Sequence, residues 1–206
     1  MVSIIMKTVF KYLLISILFT LIINDMNSQN NFDTITLGSG CFWCSEAVFS
    51  QLKGVETVTS GYSGGETKNP TYREVCSGNT GHAEVVQVVY NPEEVSLEKI
   101  LEVFFKTHDP TMLNRQGMDV GTQYRSIILY HNAVQKQTAE FIIEKLNLAG
   151  IWNNPIVTAV EAFTRFYKAE AAHQDYYSNN PNAGYCQFVI NPKIEKLKKV
   201  FAEILK

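Results

Sequence analysis

The sequence predicts a single α/β domain with a mixed sheet over residues 33–206. Strand-like and helix-like runs alternate along this part of the chain, an order typical of α/β and α+β domains. The full chain of 206 residues is 46% hydrophobic and 12% aromatic, which is sufficient for one domain with a substantial core. We find no internal repeat and no linker long enough to divide these residues.

Five strands are predicted from runs rich in β-branched and aromatic residues. Residues 85–89 are apolar nearly throughout and indicate a central strand covered on both faces. Five helices are predicted from apolar residues at helical spacing, with Ser96 as a candidate N-cap. The strands are expected at residues 33–37, 55–62, 83–90, 126–130 and 156–162. The helices are expected at residues 41–51, 97–107, 133–148, 169–177 and 193–205.

Two long segments, residues 63–81 and 108–125, show little secondary-structure pattern. Irregular segments of this length in compact domains are usually functional or disordered, and their tyrosines, arginines and aspartate argue against disorder. We therefore expect them to form the walls of a site. Their candidate residues are Tyr72, Asp119 and Tyr124.

Residues 1–28 are predicted to be a secretory signal peptide. Lys7 and Lys11 precede an apolar or hydroxylic run over residues 12–23, and polar residues follow, which is the layout of an export signal. A transmembrane helix usually needs about 20 apolar residues, so a cleaved signal is favoured over an uncleaved membrane anchor. We expect the domain in the periplasm or another extracytoplasmic space.

Composition and motifs disfavour several kinds of partner. The formal net charge of -2 gives no indication of nucleic acid or anionic lipid, and a monomer without a stable membrane partner is expected. The Gly38-Ser39-Gly40 segment lacks the third glycine and the lysine of phosphate loops. Only one cysteine pair has the spacing that structural zinc sites show twice. No metal is expected.

Cys41 is the strongest candidate for a reactive group. It follows a predicted strand and opens a predicted helix, where unpaired N–H groups and the helix dipole should lower the pKa of the thiol. Phe42 and Trp43 beside it offer an apolar wall for a small reacting group. Cys44 completes the two-residue spacing typical of redox-active pairs. An even count of four cysteines in an exported protein also fits structural disulfides.

Glu84 lies on the predicted central strand, where burial should raise the pKa of its carboxyl and keep it protonated. A neutral carboxyl can act as a general acid, whereas a carboxylate paired with a nearby arginine is the alternative. Together with the Cys41 thiol and hydroxyl donors at Tyr72 and Tyr124, it suits a substrate with a polarised oxygen on an apolar centre.

Over about residues 34–199 the chain resembles the A-class methionine sulfoxide reductases, which repair oxidised methionine. One matching block would not be specific, but here many blocks follow in the same order. They include Gly40-Cys41-Phe42-Trp43, Pro70-Thr71-Tyr72, Gly81-His82-Ala83-Glu84, Asp119-Val120-Gly121-Thr122-Gln123-Tyr124 and Gly184-Tyr185-Cys186.

The resemblance implies an α+β roll with a ferredoxin-like core, and reduction of the S epimer of methionine sulfoxide, free or in proteins. It implies Cys186 as the resolving cysteine and a thioredoxin-like dithiol as the external reductant, with no metal or organic cofactor. The implied roles are nucleophile for Cys41, proton donor for Glu84, oxygen binding for Tyr72 and Tyr124, the same polar network for Asp119, and a methyl pocket for Phe42 and Trp43.

Three departures from the family pattern matter, at Cys44, Met118 and Ala171-Ala172, and two other readings stay open. Many members have glycine in place of Cys44, and helical spacing puts Cys44 within disulfide reach of Cys41, so Cys44 is a rival to Cys186. Met118 replaces a common asparagine. The domain could instead be a disulfide-stapled binding domain with an inert pair, or a thiol–disulfide oxidoreductase acting on proteins.

Overall fold

A computed structural model describes residues 32–206, so the signal peptide predicted over residues 1–28 lies outside the described residues. The strands of the main sheet are β1 (Asp33–Ser39), β2 (Val55–Ser63), β3 (Ala83–Tyr90), β6 (Ser126–Tyr130), β7 (Ala159–Ala162) and β8 (Phe166–Lys168). Their order is β7-β6-β1-β3-β2-β8. Only β6 and β7 pair in parallel within this sheet. The predicted α/β fold with a mixed sheet is confirmed.

A small hairpin and six α-helices complete the described part of the chain. The hairpin pairs β4 (Arg115–Gln116) with β5 (Asp119–Val120). The helices are α1 (Phe42–Phe49), α2 (Tyr72–Cys76), α3 (Leu97–Thr107), α4 (Ala133–Leu148), α5 (Tyr176–Asn179) and α6 (Asn191–Val200), and a π-helical turn, Cys186–Ile190, leads into α6. Across residues 32–206, none of the helices combines the length and apolar character needed to cross a membrane.

Most predicted elements are present, and several have the predicted bounds. Strands β3 and β6 and helices α3 and α4 match residue for residue, and the Ser96 hydroxyl accepts a hydrogen bond from the Lys99 N–H at 3.2 Å as the N-cap of α3. The strand predicted over residues 156–162 is shorter in the structure, where β7 spans Ala159–Ala162. The last predicted helix begins two residues earlier and ends five residues earlier than expected, at Asn191 and Val200.

The prediction of one helix over residues 169–177 is wrong. The chain there forms a 3-10 turn, Ala171–His173, and then places Asp175 in the left-handed region with φ of 52° before α5 begins. The Gln174 side chain explains the break, because it accepts from the Ser60 N–H at 3.1 Å and donates to the Ser60 carbonyl at 2.9 Å. These bonds tie the segment to β2, and such tertiary contacts readily override local helix propensity.

Two apolar clusters cover the two faces of the sheet. Val86 and Val88 of β3 belong to the larger cluster, to which α1, α3 and α6 also contribute, whereas Val85 packs with Ile127 and Leu129 in the smaller one. Fully burying one such side chain stabilises the fold by about 1.5–3 kcal/mol. The prediction of a central strand covered on both faces is confirmed.

The antiparallel pairing of β1 and β3 assembles the site. Leu37 lies opposite Val86, so the chain that leaves β1 towards α1 passes the start of β3, where Glu84 lies. A Cβ on Gly38 would approach the Glu84 carbonyl oxygen to 3.0 Å, so glycine permits the close approach of these strands. Helix α1 then packs on β2 and β3.

Candidate active site

Cys41 is the N-cap residue of α1 and is buried. The preceding residue, Gly40, has φ of +95°, and a Cβ there would lie 2.6 Å from the Cβ of Gln116 in the hairpin. Glycine therefore lets the chain turn sharply at the end of the strand while the β4–β5 hairpin packs against the turn. The position of Cys41 at the start of a helix agrees with the sequence prediction.

Glu84 lies directly beside Cys41. Its carboxylate oxygen Oε2 accepts a hydrogen bond from the Phe42 N–H at 3.0 Å, which places the carboxyl next to Cys41. Glu84 is only 1% exposed, and this burial raises the pKa of its carboxyl to about 8. Among the described residues it forms no ion pair with an arginine or lysine. The prediction of a carboxyl that is largely neutral at pH 7 agrees with this geometry.

The pKa of Cys41 does not follow the sequence prediction. Burial, the Cys44 thiol and the nearby Glu84 together raise the pKa of Cys41 well above its usual value, which outweighs the helix terminus. The prediction of a lowered pKa was wrong because it considered the helix dipole and not the desolvation of a thiol beside two other acidic groups.

The pKa of Cys44 is shifted in the opposite direction, below its usual value. Its N–H donates to the Cys41 carbonyl at 3.1 Å in the first turn of α1, and a hydrogen bond from the Cys41 thiol lowers the pKa of Cys44 to about 7, against its burial and with help from the positive charge of Lys193. The pair therefore holds a thiol at Cys41 and a readily formed thiolate at Cys44. A single proton shift within the pair would place the negative charge on Cys41.

A polar network reaches the pair from the hairpin. The Tyr185 hydroxyl donates to Asp119 Oδ2 at 2.7 Å and lies 3.8 Å from the Cys44 Sγ. Burial and the neighbouring cysteines raise the pKa of Tyr185, so its hydroxyl keeps its proton. Asp119 lines the same cavity as the two thiols and reaches Cys44 through Tyr185.

Both thiols of the pair open onto one cavity of about 270 Å³. One wall is the hairpin and the other is the segment around the π-helical turn. The lining residues are Cys41, Cys44, Gln116, Gly117, Met118, Asp119, Tyr185, Phe188, Val189 and Lys193. A volume of this size is ample for an amino-acid side chain.

The predicted apolar wall lies behind the pair and does not line this cavity. Phe42 is fully buried and packs against Tyr62 with ring centroids 5.8 Å apart. Trp43 is stacked face to face on Tyr176, with centroids 3.6 Å apart and planes 6° apart. Its Nε1 has no hydrogen-bond partner among the described residues. The two rings adjoin the nucleophile, and Tyr176 covers one face of the indole.

Tyr72 and Tyr124 approach from the same side as Glu84. Both are half-buried, and burial raises the pKa of each, with the nearby Glu84 contributing in both cases. The Tyr72 N–H donates to Glu170 Oε1 at 2.8 Å, and the Tyr72 ring lies 6.4 Å from Phe42. Hydroxyls that stay protonated in this position are suited to donate to an oxygen that carries partial negative charge.

Cys186 is buried, and it does not line the cavity. Burial raises the pKa of its thiol, and the charge of Cys44 raises it further. All four cysteines lie within the described residues, and all four are free thiols. Cys186 is therefore close enough to Cys44 for the charge of Cys44 to raise its pKa, but its thiol is closed off from solvent in this conformation.

The functional side chain that sequence reasoning missed is Tyr185. Its only signal in the sequence is its place directly before Cys186 in a block shared with the A-class enzymes. Nothing in the linear pattern indicates that its hydroxyl joins Asp119 to Cys44, because these residues lie at least 66 positions apart in the chain.

Comparison with known proteins identifies the family. A family model described as peptide methionine sulfoxide reductase matches residues 33–205. The chain belongs to this family. The peptide methionine sulfoxide reductase MsrA of Natronomonas pharaonis is 59% identical over 170 residues, which cover 82% of this chain and 96% of that protein.

Solved structures agree with this assignment. The reduced form of Mxr1 from Saccharomyces cerevisiae has a TM-score of 0.69 at 36% identity, covering 75% of this chain and 89% of that one. A complex of Mxr1 with Trx2 has a TM-score of 0.50 at 27% identity, covering 72% and 87%. The resemblance to A-class reductases found in the sequence is confirmed. Within residues 32–206, no cluster of three or more histidine, cysteine or acidic side chains could hold a metal ion.

Proposed function

We propose that this reductase acts on the S epimer of methionine sulfoxide, free or in proteins, with Cys41 as the nucleophile. The position of the buried, largely neutral Glu84 carboxyl next to Cys41, where it accepts from the Phe42 N–H, carries the proposal. The Cys41 sulfur attacks the sulfoxide sulfur after its proton passes to the Cys44 thiolate, while Glu84 protonates the sulfoxide oxygen. The resulting hydroxyl then passes from the substrate sulfur to the Cys41 sulfur as the bond between the two sulfurs breaks, so methionine leaves and Cys41 becomes a sulfenic acid.

Tyr72 and Tyr124 hold the sulfoxide oxygen in this scheme. Their protonated hydroxyls approach from the side of Glu84, where the oxygen must lie to receive a proton. Phe42 and Trp43 form the apolar surface behind the Cys41 sulfur. Asp119 acts through the Tyr185 hydroxyl, which it orients towards the cysteine pair.

The sulfenic acid is resolved within the protein. Cys44 is in the same helical turn and its thiol contacts that of Cys41. We therefore propose that Cys44 attacks the sulfenic acid and forms the first disulfide with Cys41, with release of water. Cys186, which the family resemblance favours as resolver, would then exchange with this disulfide and carry it outward. That second step requires the buried Cys186 to move.

An external dithiol completes the cycle by reducing the disulfide and becoming a disulfide itself. We propose a thioredoxin-like protein for this role, and the complex of the related Mxr1 with Trx2 supports the choice. No metal or organic cofactor takes part in any step, because sulfur atoms supply both electrons.

Turnover of the separated S and R sulfoxides of N-acetylmethionine with dithiothreitol tests this function. We expect reduction of the S epimer with little reduction of the R epimer. Reduction of insulin disulfides without sulfoxide turnover would instead identify a thiol–disulfide oxidoreductase. A protein with no titratable thiol after mild reduction would indicate a disulfide-stapled binding domain.

We also propose that the protein is exported, because residues 1–28 have the layout of a signal peptide. Oxidised methionines of proteins outside the cytoplasm would then be its substrates. Cell fractionation with N-terminal sequencing tests this. A cytoplasmic protein that retains Met1 would contradict the proposal, and a membrane-bound one would favour an uncleaved anchor.

A further inference from the structure

The mouth of the active-site cavity is unusually apolar. Met118 and Phe188, at 92% and 82% exposed, are the two most exposed large apolar side chains in the described part of the chain. Both line the cavity that contains Cys41 and Cys44. Single apolar side chains scattered over a surface are ordinary, but here the two most exposed ones flank the same opening.

The hairpin holds Met118 in a defined place. The Gln116 amide donates to the Asp109 carbonyl at 3.0 Å, and its oxygen accepts from the Asp109 N–H at 3.2 Å. The Arg115 guanidinium donates to the Gly117 carbonyl at 2.7 Å. These bonds fix the two-residue tip of the hairpin, so Met118 projects from a supported turn.

Phe188 is held on the opposite side. It belongs to the π-helical turn Cys186–Ile190, whose first and last residues are fully buried. These two buried residues anchor the turn in the core, while the phenyl ring faces solvent. An exposed phenylalanine on an anchored turn leaves apolar surface in contact with water, and a bound partner gains free energy by covering it.

We propose that Met118 and Phe188 form an apolar clamp for the residues that flank methionine sulfoxide in an unfolded polypeptide. The proposal rests on the proposed function, since the sulfoxide side chain must enter the cavity to reach Cys41. When the sulfoxide side chain lies in the cavity beside Cys41, the neighbouring residues of the polypeptide lie at the rim, where Met118 and Phe188 are exposed. An unfolded segment presents apolar neighbours there, and a folded surface usually does not.

The test compares three S sulfoxide substrates with dithiothreitol as reductant. They are N-acetylmethionine sulfoxide, a peptide with leucine and phenylalanine beside the sulfoxide, and a matched peptide with serine at those positions. The variants are Met118→Ser and Phe188→Ser. Leu148→Ser and Phe141→Ser serve as matched controls, because both residues are exposed apolar side chains on α4.

The wild type should prefer the apolar peptide over the serine peptide. Each clamp variant should lower kcat/KM for the apolar peptide about 3- to 10-fold, mainly through KM, as expected for loss of one apolar contact in an interface. The ratio of kcat/KM for the apolar peptide to kcat/KM for N-acetylmethionine sulfoxide should therefore fall in each clamp variant, whereas the α4 controls should leave this ratio unchanged.

Other outcomes would overturn the clamp and leave the proposed function intact. Equal losses on the peptide and on N-acetylmethionine sulfoxide would assign the two residues to the cavity itself. A loss that appears only when thioredoxin replaces dithiothreitol would make this rim a docking surface for the reductant. Equal turnover of both peptides by the wild type would exclude selection by the rim. Failure to reduce even N-acetylmethionine S-sulfoxide would instead contradict the proposed function.

Discussion

The two sides of Cys41 differ in how they handle protons. On one side Glu84 is sealed from solvent, and burial holds its pKa at about 8, with Tyr72 and Tyr124 nearby as neutral hydroxyls. On the other side, Cys44 borders a cavity with Lys193 and Asp119, and its pKa is lowered to about 7. At neutral pH the groups on the first side keep their protons, whereas the Cys44 thiol on the second side readily loses its proton.

This difference matches the needs of two successive reactions. Release of oxygen from a sulfoxide requires a donor that is still protonated at neutral pH. Disulfide formation requires a thiolate. One residue, Cys41, contacts both environments, and its raised pKa keeps it protonated until a proton shift within the pair makes it nucleophilic. Each prediction below changes one side and measures the step that depends on it.

Cys41→Ser should abolish turnover, the largest effect of all, because a serine hydroxyl is far less nucleophilic than a thiolate near neutral pH. The measurement is reduction of N-acetylmethionine S-sulfoxide with dithiothreitol. Serine is close in size to cysteine, so the fold should survive, and circular dichroism checks this. Wild-type turnover by the folded variant would contradict the assignment of the nucleophile.

Glu84→Gln removes the proton donor while keeping the shape of the side chain. Formation of sulfenic acid in a single turnover should slow by about 10²–10⁴-fold, the usual contribution of a general acid. Because the Glu84 carboxyl loses its proton as the pH rises through about 8, the wild-type rate of this step should fall above that pH. The variant should lack this falling limb.

Single-turnover kinetics are needed because later reduction of the disulfide can limit steady-state turnover. Glu140→Gln is a suitable control, since Glu140 is an exposed carboxylate on α4 that pairs with Lys136. It should react like the wild type. An unchanged rate in Glu84→Gln would assign Glu84 a structural role on the central strand.

Cys44→Ser and Cys186→Ser separate the resolving steps. After one equivalent of sulfoxide, Cys44→Ser should lose its sulfenic acid at least about 10-fold more slowly, because the thiol already positioned beside Cys41 is gone. Cys186→Ser should still form a Cys41–Cys44 disulfide and should slow only recycling. Mass mapping of the disulfides distinguishes these outcomes. A Cys41–Cys186 bridge formed at full rate in Cys44→Ser would restore Cys186 as the first resolver.

Sequence analysis predicted the buried, protonated Glu84 on its strand, but it did not predict the pKa shifts of Cys41 and Cys44. Glu84 begins a nearly continuous apolar run that indicates a buried strand, and burial is the largest cause of its raised pKa. The shifts at Cys41 and Cys44 depend instead on side chains that converge from the hairpin and from the segment before α6, such as Tyr185 and Lys193. Local propensity also failed for residues 169–177, where hydrogen bonds from Gln174 to β2 decide the backbone. Long-range contacts of this kind leave no periodic pattern.

Tyr185→Phe should have the smallest effect, and it should act on both steps that use the Cys44 thiolate, which are activation of Cys41 and disulfide formation. The Tyr185 hydroxyl lowers the pKa of Cys44, so its loss should raise that pKa and shift the pH midpoint of disulfide formation upward from about 7. At pH 7 the step should slow by about 3- to 10-fold, as expected for one hydrogen bond to a charged group, and the rate should recover at higher pH.

Tyr90→Phe is the matched control for this last variant. The Tyr90 hydroxyl also donates to an aspartate, Asp33, at 3.1 Å, but it lies at the far end of β3 from Glu84. It should leave the rates of both steps unchanged. Wild-type rates and an unchanged pH midpoint in Tyr185→Phe would show that its hydroxyl does not set the pKa of Cys44.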